Sequence, residues 1–273
     1  GACQGTHHLS ESRILVCRWA IAYANQQSLS RPRPASGDWH RDHSVVSRLA
    51  SFFSALSASA LLAFVATSSH AQQALEYSAH YKASANGIAA SADRSLIRLE
   101  DNSYRLTNIL QAKLLGLTVA TLEQRSEFDL ADGMIKSHTY AYHLSGISKV
   151  SNTIAFDWDT QIALSTEDEQ SWQLELFDGV MDPLSYQFAL RQRLLSATAE
   201  EVSAMELELE FQLIDADEIE HHQYRLLGDE VLLTPLGELN TVKLERVREA
   251  SDARETTIWL ARDWNFLLAR IEQ

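Results

Sequence analysis

The sequence predicts a mainly β protein: a curved antiparallel sheet or a barrel-like meander of about a dozen strands, with one amphipathic helix. Three observations support this fold class. Apolar and polar residues alternate with a period of two through most of the chain after residue 73, which is typical of strands with one buried and one solvated face. Turn signals such as Asp132-Gly133 separate many of these runs. One segment near residue 190 has the spacing of a helix instead.

An uncharged stretch from Leu49 to Leu75 has the features of an export signal. Its most apolar part ends at Val65, and Ser69-His70-Ala71 then offers small residues at the two positions that signal peptidase recognises. We therefore expect residues 45–71 to be a signal peptide that is removed by cleavage between Ala71 and Gln72. The remaining chain is then expected to be a soluble periplasmic protein. An uncleaved membrane anchor is the alternative, since the apolar part is close to the ~20 residues that a spanning helix needs.

The part before this stretch, residues 1–44, does not have the pattern of a domain. It contains both cysteines of the chain and no sustained apolar period of either helix or strand type. The sequence starts with Gly1, and its first methionine is Met134. Our hypothesis is that residues 1–44 are upstream sequence translated in frame and that synthesis begins near Val45 or Val46. A genuine unstructured extension is the alternative.

Composition restricts the partners of the chain. The whole sequence has 23 Lys and Arg against 37 Asp and Glu, a net charge of −14. Because most acidic residues follow the signal, residues 72–273 are more acidic still. Such a surface repels phosphate backbones, so we expect no nucleic acid partner. Residues 72–273 contain no cysteine, which excludes a disulfide framework and a cysteine-based zinc site there. We expect this part to form a single β-rich domain.

The individual strands are predicted from their alternation. In residues 206–214, ELELEFQLI, apolar residues alternate with glutamates and a glutamine, so one face is buried and the other is in solvent. Residues 75–85 and 134–144 have the same alternation, and in the second run His138 shares a face with Tyr140. Further strands are predicted over Ile88–Leu99, Tyr104–Ala112, Val119–Leu130, Val150–Trp158, Trp172–Leu176, Ile219–Leu227, Thr241–Val247, Thr256–Ala261 and Phe266–Ile271.

The segment that begins at Asp182 breaks this pattern and predicts the helix. Asp182 is a natural N-cap, and Pro183 suits the first helical position because its missing N–H would have no partner there. Phe188 and Leu195 lie along an apolar stripe at helical spacing, which should be buried. We predict a single helix over residues 183–198 that covers the open face of the curved sheet.

Four short motifs, taken in order, resemble a known family. They are FDWD at residues 156–159, FDGVMDPLSYQFALR at 177–191, TPLGELNTVKLERV at 234–247 and TIWLARDWNFLLARIEQ at 257–273. Their order is similar to that in the domain of unknown function 3108 family of exported bacterial proteins. One departure lies near the end, where the family tends to have a proline and this chain has FLLAR at residues 266–270. The resemblance implies a periplasmic, mostly β protein and assigns no catalytic or ligand-binding residue.

His221 and His222 are the best candidates for metal ligands in the sequence. Imidazole together with the carboxylates of the preceding residues 215–220 suits zinc or a similar ion. Adjacent residues of a strand point to opposite faces, however. We therefore predict that the two histidines do not share an ion, and we expect no bound metal and no cofactor.

Asp157 and Asp159 are two residues apart, which places two carboxylates on one strand face at the ~6.6 Å spacing that suits a catalytic pair. The alternation explains them more simply, because the neighbouring aromatic residues take the core face. His138 is expected to be packed rather than to act as a base, and His143 falls on the opposite face of its strand. The sequence has no nucleophile elbow, zinc-protease helix motif or phosphate-binding glycine loop, so we assign no catalytic residue.

Three classes of function fit these features. The first is a non-enzymatic envelope protein whose curved sheet holds an apolar or lipid-like ligand beneath the helix. The second is an adaptor that pairs with another envelope protein through an exposed sheet edge. The third, which the missing motifs disfavour, is a hydrolase that acts on an envelope polymer. The first class is the function that we predict from the sequence.

Overall fold

The computed structural model describes residues 18–23, 76–85, 88–101, 103–204, 207–247 and 255–273. Over this part of the chain the fold is mainly β, as the sequence predicts. The strands are β1 (Arg18–Tyr23), β2 (Tyr77–Ala85), β3 (Ile88–Arg98), β4 (Tyr104–Leu114), β5 (Leu117–Ala131), β6 (Met134–Gly146), β7 (Val150–Asp157), β8 (Ile162–Glu167), β9 (Gln170–Glu175), β10 (Val180–Met181), β11 (Leu209–Asp215), β12 (Glu218–Thr234), β13 (Gly237–Val247), β14 (Thr257–Ala261) and β15 (Leu267–Glu272). The helices are α1 (Ser185–Ser196) and α2 (Ala199–Ala204), and a short 3-10 turn covers Arg262–Trp264.

The strands form one continuous order, β10-β11-β12-β13-β14-β15-β1-β2-β3-β4-β5-β6-β7-β8-β9. Strands β2 to β9 make an antiparallel meander, and β11 to β15 make a second one. Strand β1 pairs with β15 on one side and with β2 on the other, and β10 adds to β11 in parallel. The end strands, β9 and β10, do not pair with each other within the described residues. The barrel-like sheet is therefore not closed.

Apolar side chains from both meanders pack into one main core, and two smaller buried clusters accompany it. Alternate residues of a strand point to the same face, so that every second residue of β4 from Tyr104 to Leu110 is buried. Ala79, Tyr81 and Ala83 of β2 are buried in the same way. The almost fully buried core residues include Leu96, Leu106, Phe128, Ile154, Leu194, Leu209, Leu213 and Leu244.

Helix α1 lies where the sequence predicts a helix, but it is shorter than the predicted range 183–198 and α2 follows it. Phe188 is buried as predicted, at 2% exposure. The prediction for Leu195 is wrong, because this residue is half-buried and its neighbour Leu194 points into the core. Helix α1 contacts β5, β6 and β11, and it thus packs against both meanders.

Asp182 fixes the start of α1 to the sheet. Its side chain is fully buried, and Oδ1 accepts hydrogen bonds from the backbone N–H groups of Leu184 and Ser185, each at 2.8 Å. Oδ2 accepts hydrogen bonds from the hydroxyls of Ser126 in β5 (2.7 Å) and Ser137 in β6 (2.8 Å). The N-cap position of α1 is Leu184 and not the predicted Asp182, but the Asp182 carboxylate accepts N–H groups at the helix start and ties the helix to the first meander. We call these five residues the Asp182 anchor.

The predicted face of residues 134–144 is wrong at His138. Strand β6 has a bulge there, because Ser137 pairs with Phe128 and Thr139 pairs with Glu127. A bulge inserts one unpaired residue and shifts the alternation, so Ser137 and Tyr140 are both buried. His138 is partly exposed instead, and its Nε2 lies 2.9 Å from Asp129 Oδ2.

Strands β8 and β12 differ most instructively from the sequence prediction. Strand β8 was not predicted, because its inward residues are the small Ala163 and the polar Ser165, both fully buried, and these do not produce an apolar period. Strand β12 continues past the predicted end at Leu227, through a bulge at Gly228 with φ of 112°. Its continuation contains three successive apolar residues, VLL at 231–233, and such a run has no period of two.

The predicted signal peptide, residues 45–71, lies outside the described residues, as does the predicted alternative of a membrane anchor. Of residues 1–44, only β1 is described. Among the helices of the described part, none has the length and apolar character that crossing a membrane requires.

Candidate functional site

A cavity of ≈ 190 Å³ lies between α1 and strands β2, β3 and β12 to β15. We call it the α1 cavity. Its apolar and aromatic lining consists of Phe188, Leu190, Ile258, Leu260, Phe266, Leu267, Leu268 and Ile271. Its polar lining consists of Tyr77, Arg94, Tyr186, Gln187, Arg191, His222, Tyr224, Arg246, Thr256 and Gln273. A lining that combines apolar surface with polar groups able to orient a ligand is typical of small-molecule sites.

Strand alternation explains why these residues reach the cavity. In β12, His222 and Tyr224 point inwards, while the intervening Gln223 is exposed. Strand β14 contributes Ile258 and Leu260 by the same rule. The cavity is thus formed by residues that are far apart in the sequence.

Arg94 in β3 is the most unusual residue of the lining, because it is 7% exposed and has only neutral hydrogen-bond partners. Its Nε donates to the Tyr77 hydroxyl (3.0 Å) and Nη1 donates to Gln187 Oε1 (2.7 Å). No Asp or Glu of the described residues forms an ion pair with it. Burial lowers the pKa of Arg94, but the nearby Tyr77 and Tyr81 outweigh this effect and raise it above its ordinary value, so the guanidinium stays charged.

Arg191 in α1 brings a second buried guanidinium to the same place, at 6% exposure. Its Nε donates to the backbone carbonyl of Asn265 at 2.8 Å, and its guanidinium carbon lies 5.4 Å from the ring centre of Tyr77. Burial lowers the pKa of Arg191, and the positive charge of Arg94 lowers it further. Tyr77 therefore contacts both guanidinium groups, which are close enough to repel each other.

A pair of tyrosines lines another part of the α1 cavity. The hydroxyls of Tyr186 and Tyr224 lie 3.1 Å apart, and either can donate the hydrogen bond. Burial raises the pKa of Tyr186 and raises that of Tyr224 well above its ordinary value. Both hydroxyls therefore stay protonated at neutral pH, and they can act as hydrogen-bond donors.

His222 is buried beside this pair, at 6% exposure, and its ring contacts that of Tyr186 edge-on with centres 5.1 Å apart. Its Nε2 lies 2.8 Å from Glu220 Oε2, and the same carboxylate oxygen lies 3.9 Å from a terminal nitrogen of Arg246. The His222 Nδ1 and the Arg246 Nε are buried without a hydrogen-bond partner among the described residues. Buried polar atoms of this kind usually have a partner, so this region has unused capacity for hydrogen bonds.

The predicted separation of the two histidines is visible in the structure. His221 lies on the exposed face of β12, with Nε2 3.6 Å from Glu210 Oε2, whereas His222 points into the α1 cavity. No group of three or more His, Cys, Asp or Glu side chains within the described ranges is arranged to hold a metal ion.

The other candidate residues of the sequence lie away from the α1 cavity. Asp157 ends β7, where its Oδ1 accepts hydrogen bonds from the backbone N–H groups of Asp159 (3.0 Å) and Thr160 (3.2 Å). These hydrogen bonds, chiefly the one from Thr160, lower the pKa of Asp157. The Asp157 carboxylate therefore stabilises a turn. His143 is exposed, and its Nδ1 lies 3.1 Å from the Ser151 hydroxyl.

The sequence did not single out Arg94 as a candidate. Its position on the inward face of β3 follows from the alternation with Ala92 and Leu96, which are fully buried. A charged residue at an inward position of a strand is rare, and this is the signal that could have identified it. Arg191 and Tyr77 lie near Arg94 because of the way the two meanders pack together. The sequence pattern does not predict that packing.

One family of known proteins and one solved structure are similar to the chain. The model of the family described as "Protein of unknown function (DUF3108)" matches residues 76–273. Among solved structures, the chain is similar to the crystal structure of a β-barrel-like protein of domain of unknown function DUF1849 from Brucella abortus. The sequence identity is 10%, the TM-score is 0.40, and the match covers 69% of this chain and 81% of that chain. No curated protein matches the chain.

Proposed function

The chain belongs to the DUF3108 family, and we propose that it is a non-enzymatic binding protein of the periplasm that holds an apolar or lipid-like ligand in the α1 cavity. The observation that supports this proposal best is the cavity itself. Its ≈ 190 Å³ exceeds the ~150 Å³ of an engineered cavity that binds benzene. A well-packed core would not leave a space of this size.

The lining of the α1 cavity supports an apolar ligand in particular. Leu190, Leu260 and Leu268 offer aliphatic surface, and Phe188 and Phe266 offer aromatic surface. Burial of an alkyl chain against such surface is favourable by about 0.8 kcal/mol for each CH₂ group. The exposed Gln273 and the half-buried Ile271 also line the cavity, so a ligand can enter beside the end of β15.

Export to the periplasm is the second part of the proposal. The uncharged segment Leu49–Leu75 and the small residues at Ser69 and Ala71 support it. N-terminal sequencing of the protein from fractionated cells should give a chain that starts at Gln72 in the soluble periplasmic fraction. Recovery of the whole chain in the membrane pellet would contradict both the cleavage and the soluble state.

Native mass spectrometry of the protein purified from the periplasm tests the binding directly, since a bound ligand adds its mass to that of the chain. A solution test uses the uncharged dye N-phenyl-1-naphthylamine, whose fluorescence rises in an apolar site. Ile271→Trp should reduce dye binding at least about tenfold, because the larger side chain fills the cavity that it lines.

Ile97→Trp is the matched control, because Ile97 is exposed and does not line the cavity. This variant should bind the dye as the unmodified protein does. The proposal is wrong if the unmodified protein binds neither a native ligand nor the dye, or if the two tryptophan variants bind the dye equally well.

A further inference from the structure

We infer that the ligand of the α1 cavity is an anionic amphiphile, an alkyl carboxylate or alkyl phosphate, whose head group binds at Arg94 and Arg191. This inference rests on the proposed function for the apolar chain of the ligand, and it adds the charge of the head group. It excludes uncharged and cationic lipids as preferred ligands.

The burial of Arg94 is the first argument. A charged group that leaves water pays a large desolvation cost unless an opposite charge compensates it. Arg94 is 7% exposed, and its hydrogen-bond partners, the Tyr77 hydroxyl and the Gln187 amide, are neutral. An anion in the α1 cavity would supply the missing opposite charge.

The proximity of Arg191 is the second argument. The Arg191 guanidinium contacts the ring of Tyr77, and the hydroxyl of Tyr77 accepts a hydrogen bond from Arg94. Two positive charges therefore lie beside one part of the cavity. Like charges destabilise each other in a buried site, as the effect of Arg94 on the pKa of Arg191 indicates, and an anion near both of them relieves this repulsion. The nearby carboxylate of Glu220 is instead within ion-pair distance of His222 and Arg246.

The geometry of the guanidinium is the third argument. The group has five N–H donors, and Tyr77 and Gln187 engage the Nε and Nη1 of Arg94. A planar fork of donors matches a carboxylate or phosphate, which accepts two parallel hydrogen bonds from it. The aliphatic side chains of Ile258, Leu260 and Leu268 line the same cavity, so a chain attached to the anion has apolar surface to bind.

Competition against N-phenyl-1-naphthylamine tests the head group on the unmodified protein. Four probes separate its charge from its chain: octanoate, octan-1-ol, octylammonium and acetate. Octanoate should displace the dye at about tenfold lower concentration than octan-1-ol, since a carboxylate brings an opposite charge and accepts two parallel hydrogen bonds from a guanidinium, whereas a hydroxyl has no charge and a single acceptor oxygen. Octylammonium should be weaker than octan-1-ol because it meets two positive charges, and acetate should not compete because it lacks the chain.

Arg94→Met tests the residue. The substitution keeps a long side chain and removes the charge, so the preference for octanoate over octan-1-ol should fall from about tenfold to less than about twofold. Binding of the dye to the variant, measured first, shows that the cavity is present. Arg225→Met is the control, because Arg225 is exposed on β12 and pairs with Glu245; it should keep the tenfold preference.

The outcomes separate the inference from the proposed function. If octan-1-ol competes as well as octanoate, or if Arg94→Met keeps the full preference, the anionic head group is wrong while the apolar cavity stands. If acetate competes as well as octanoate, the site binds a free anion and the amphiphile is wrong. If neither the dye nor any octyl compound binds, the proposed function itself fails. The head-group series needs no variant, so it decides the inference even if Arg94→Met does not fold.

Discussion

At the start of α1, a buried carboxylate has its hydrogen bonds supplied by the protein, whereas further along the helix two buried guanidinium groups border a cavity. Asp182 accepts two backbone and two hydroxyl hydrogen bonds. Arg94 has two neutral side-chain partners and no ion pair among the described residues. The carboxylate of Asp182 is a structural charge, because the protein supplies its hydrogen-bond donors. The guanidinium of Arg94 has no opposite charge in the described part of the protein, so its charge is available to a ligand.

The largest effect is expected where the two regions meet, at Phe188. This residue packs against Phe128 and Tyr104, with ring centres 5.2 and 6.3 Å away, and it also lines the α1 cavity. Phe188→Ala should reduce the free energy of unfolding by about 3 to 5 kcal/mol, as measured by urea denaturation. Phe177→Ala is the control, because Phe177 is 37% exposed whereas Phe188 is 2% exposed; equal losses in the two variants would show that α1 is not packed as described.

Removal of the anchoring carboxylate should have the next largest effect. Asp182→Ala leaves the hydroxyls of Ser126 and Ser137 and two backbone N–H groups without their acceptor, so we expect a loss of about 3 kcal/mol. Urea denaturation measures the loss, and limited proteolysis over residues 183–198 shows whether α1 loosens first. Asp182→Asn should lose less, because its amide oxygen still accepts hydrogen bonds.

Asp157 provides the matched comparison for the anchor, since its carboxylate also accepts two backbone hydrogen bonds but lies at the surface. Asp157→Ala should destabilise the protein much less than Asp182→Ala, because water can replace the lost acceptor. If the two variants lose the same stability, the hydroxyls of β5 and β6 contribute nothing to the anchor.

The same two regions show how far sequence reasoning reaches. The alternation in residues 206–214 and the N-cap signal at Asp182 predicted a strand and a helix that the structure contains, because both depend on neighbours in the sequence. The bulge at His138 was not predictable from alternation, since one inserted residue moves every later side chain to the other face. Strand β8 was missed because its buried side chains are small or polar.

Contacts between distant segments account for what the sequence did not predict about the site. Asp182 was expected to cap a helix, but its bonds to Ser126 and Ser137 join positions 56 and 45 residues away. Arg94 and Gln187 are 93 residues apart, and no local pattern relates them. The sequence predicted a ligand beneath the helix, and the residues that line the α1 cavity became visible only once both meanders were placed.

Alkaline pH should distinguish the two regions, because Tyr140 is influenced by the charge of Asp182 and Tyr186 lines the α1 cavity. Burial, and to a lesser extent the negative charge of Asp182, raise the pKa of Tyr140 far above its ordinary value near 10. The unfolded chain therefore loses this proton first, so the stabilisation is complete below about pH 10 and is lost as the pH rises. From pH 10 to 11 the unmodified protein should lose about 1 kcal/mol more than Tyr140→Phe.

Tyr186 is the counterpart of Tyr140 in the α1 cavity. Burial raises its pKa as well, but the hydrogen bond with Tyr224 and, after it, the charges of Arg246 and Arg94 lower it. The difference between Tyr186→Phe and the unmodified protein over the same pH interval should therefore be smaller than for Tyr140→Phe. Urea denaturation at each pH measures both differences, and a larger difference for Tyr186 would mean that the arginines do not act on the cavity as described.

The smallest change in stability is expected for Arg94→Met, in contrast to the large loss expected for Asp182→Ala. Replacement of a buried charge that lacks an opposite charge by an apolar side chain of similar volume is often neutral or stabilising, so the free energy of unfolding should change by less than about 1 kcal/mol. Octanoate at ten times its dissociation constant should stabilise the unmodified protein by about 1.4 kcal/mol and should stabilise this variant less at the same concentration. A loss as large as that of Asp182→Ala would instead show that Tyr77 and Gln187 are the partners that Arg94 requires, and that its charge belongs to the structure rather than to a ligand.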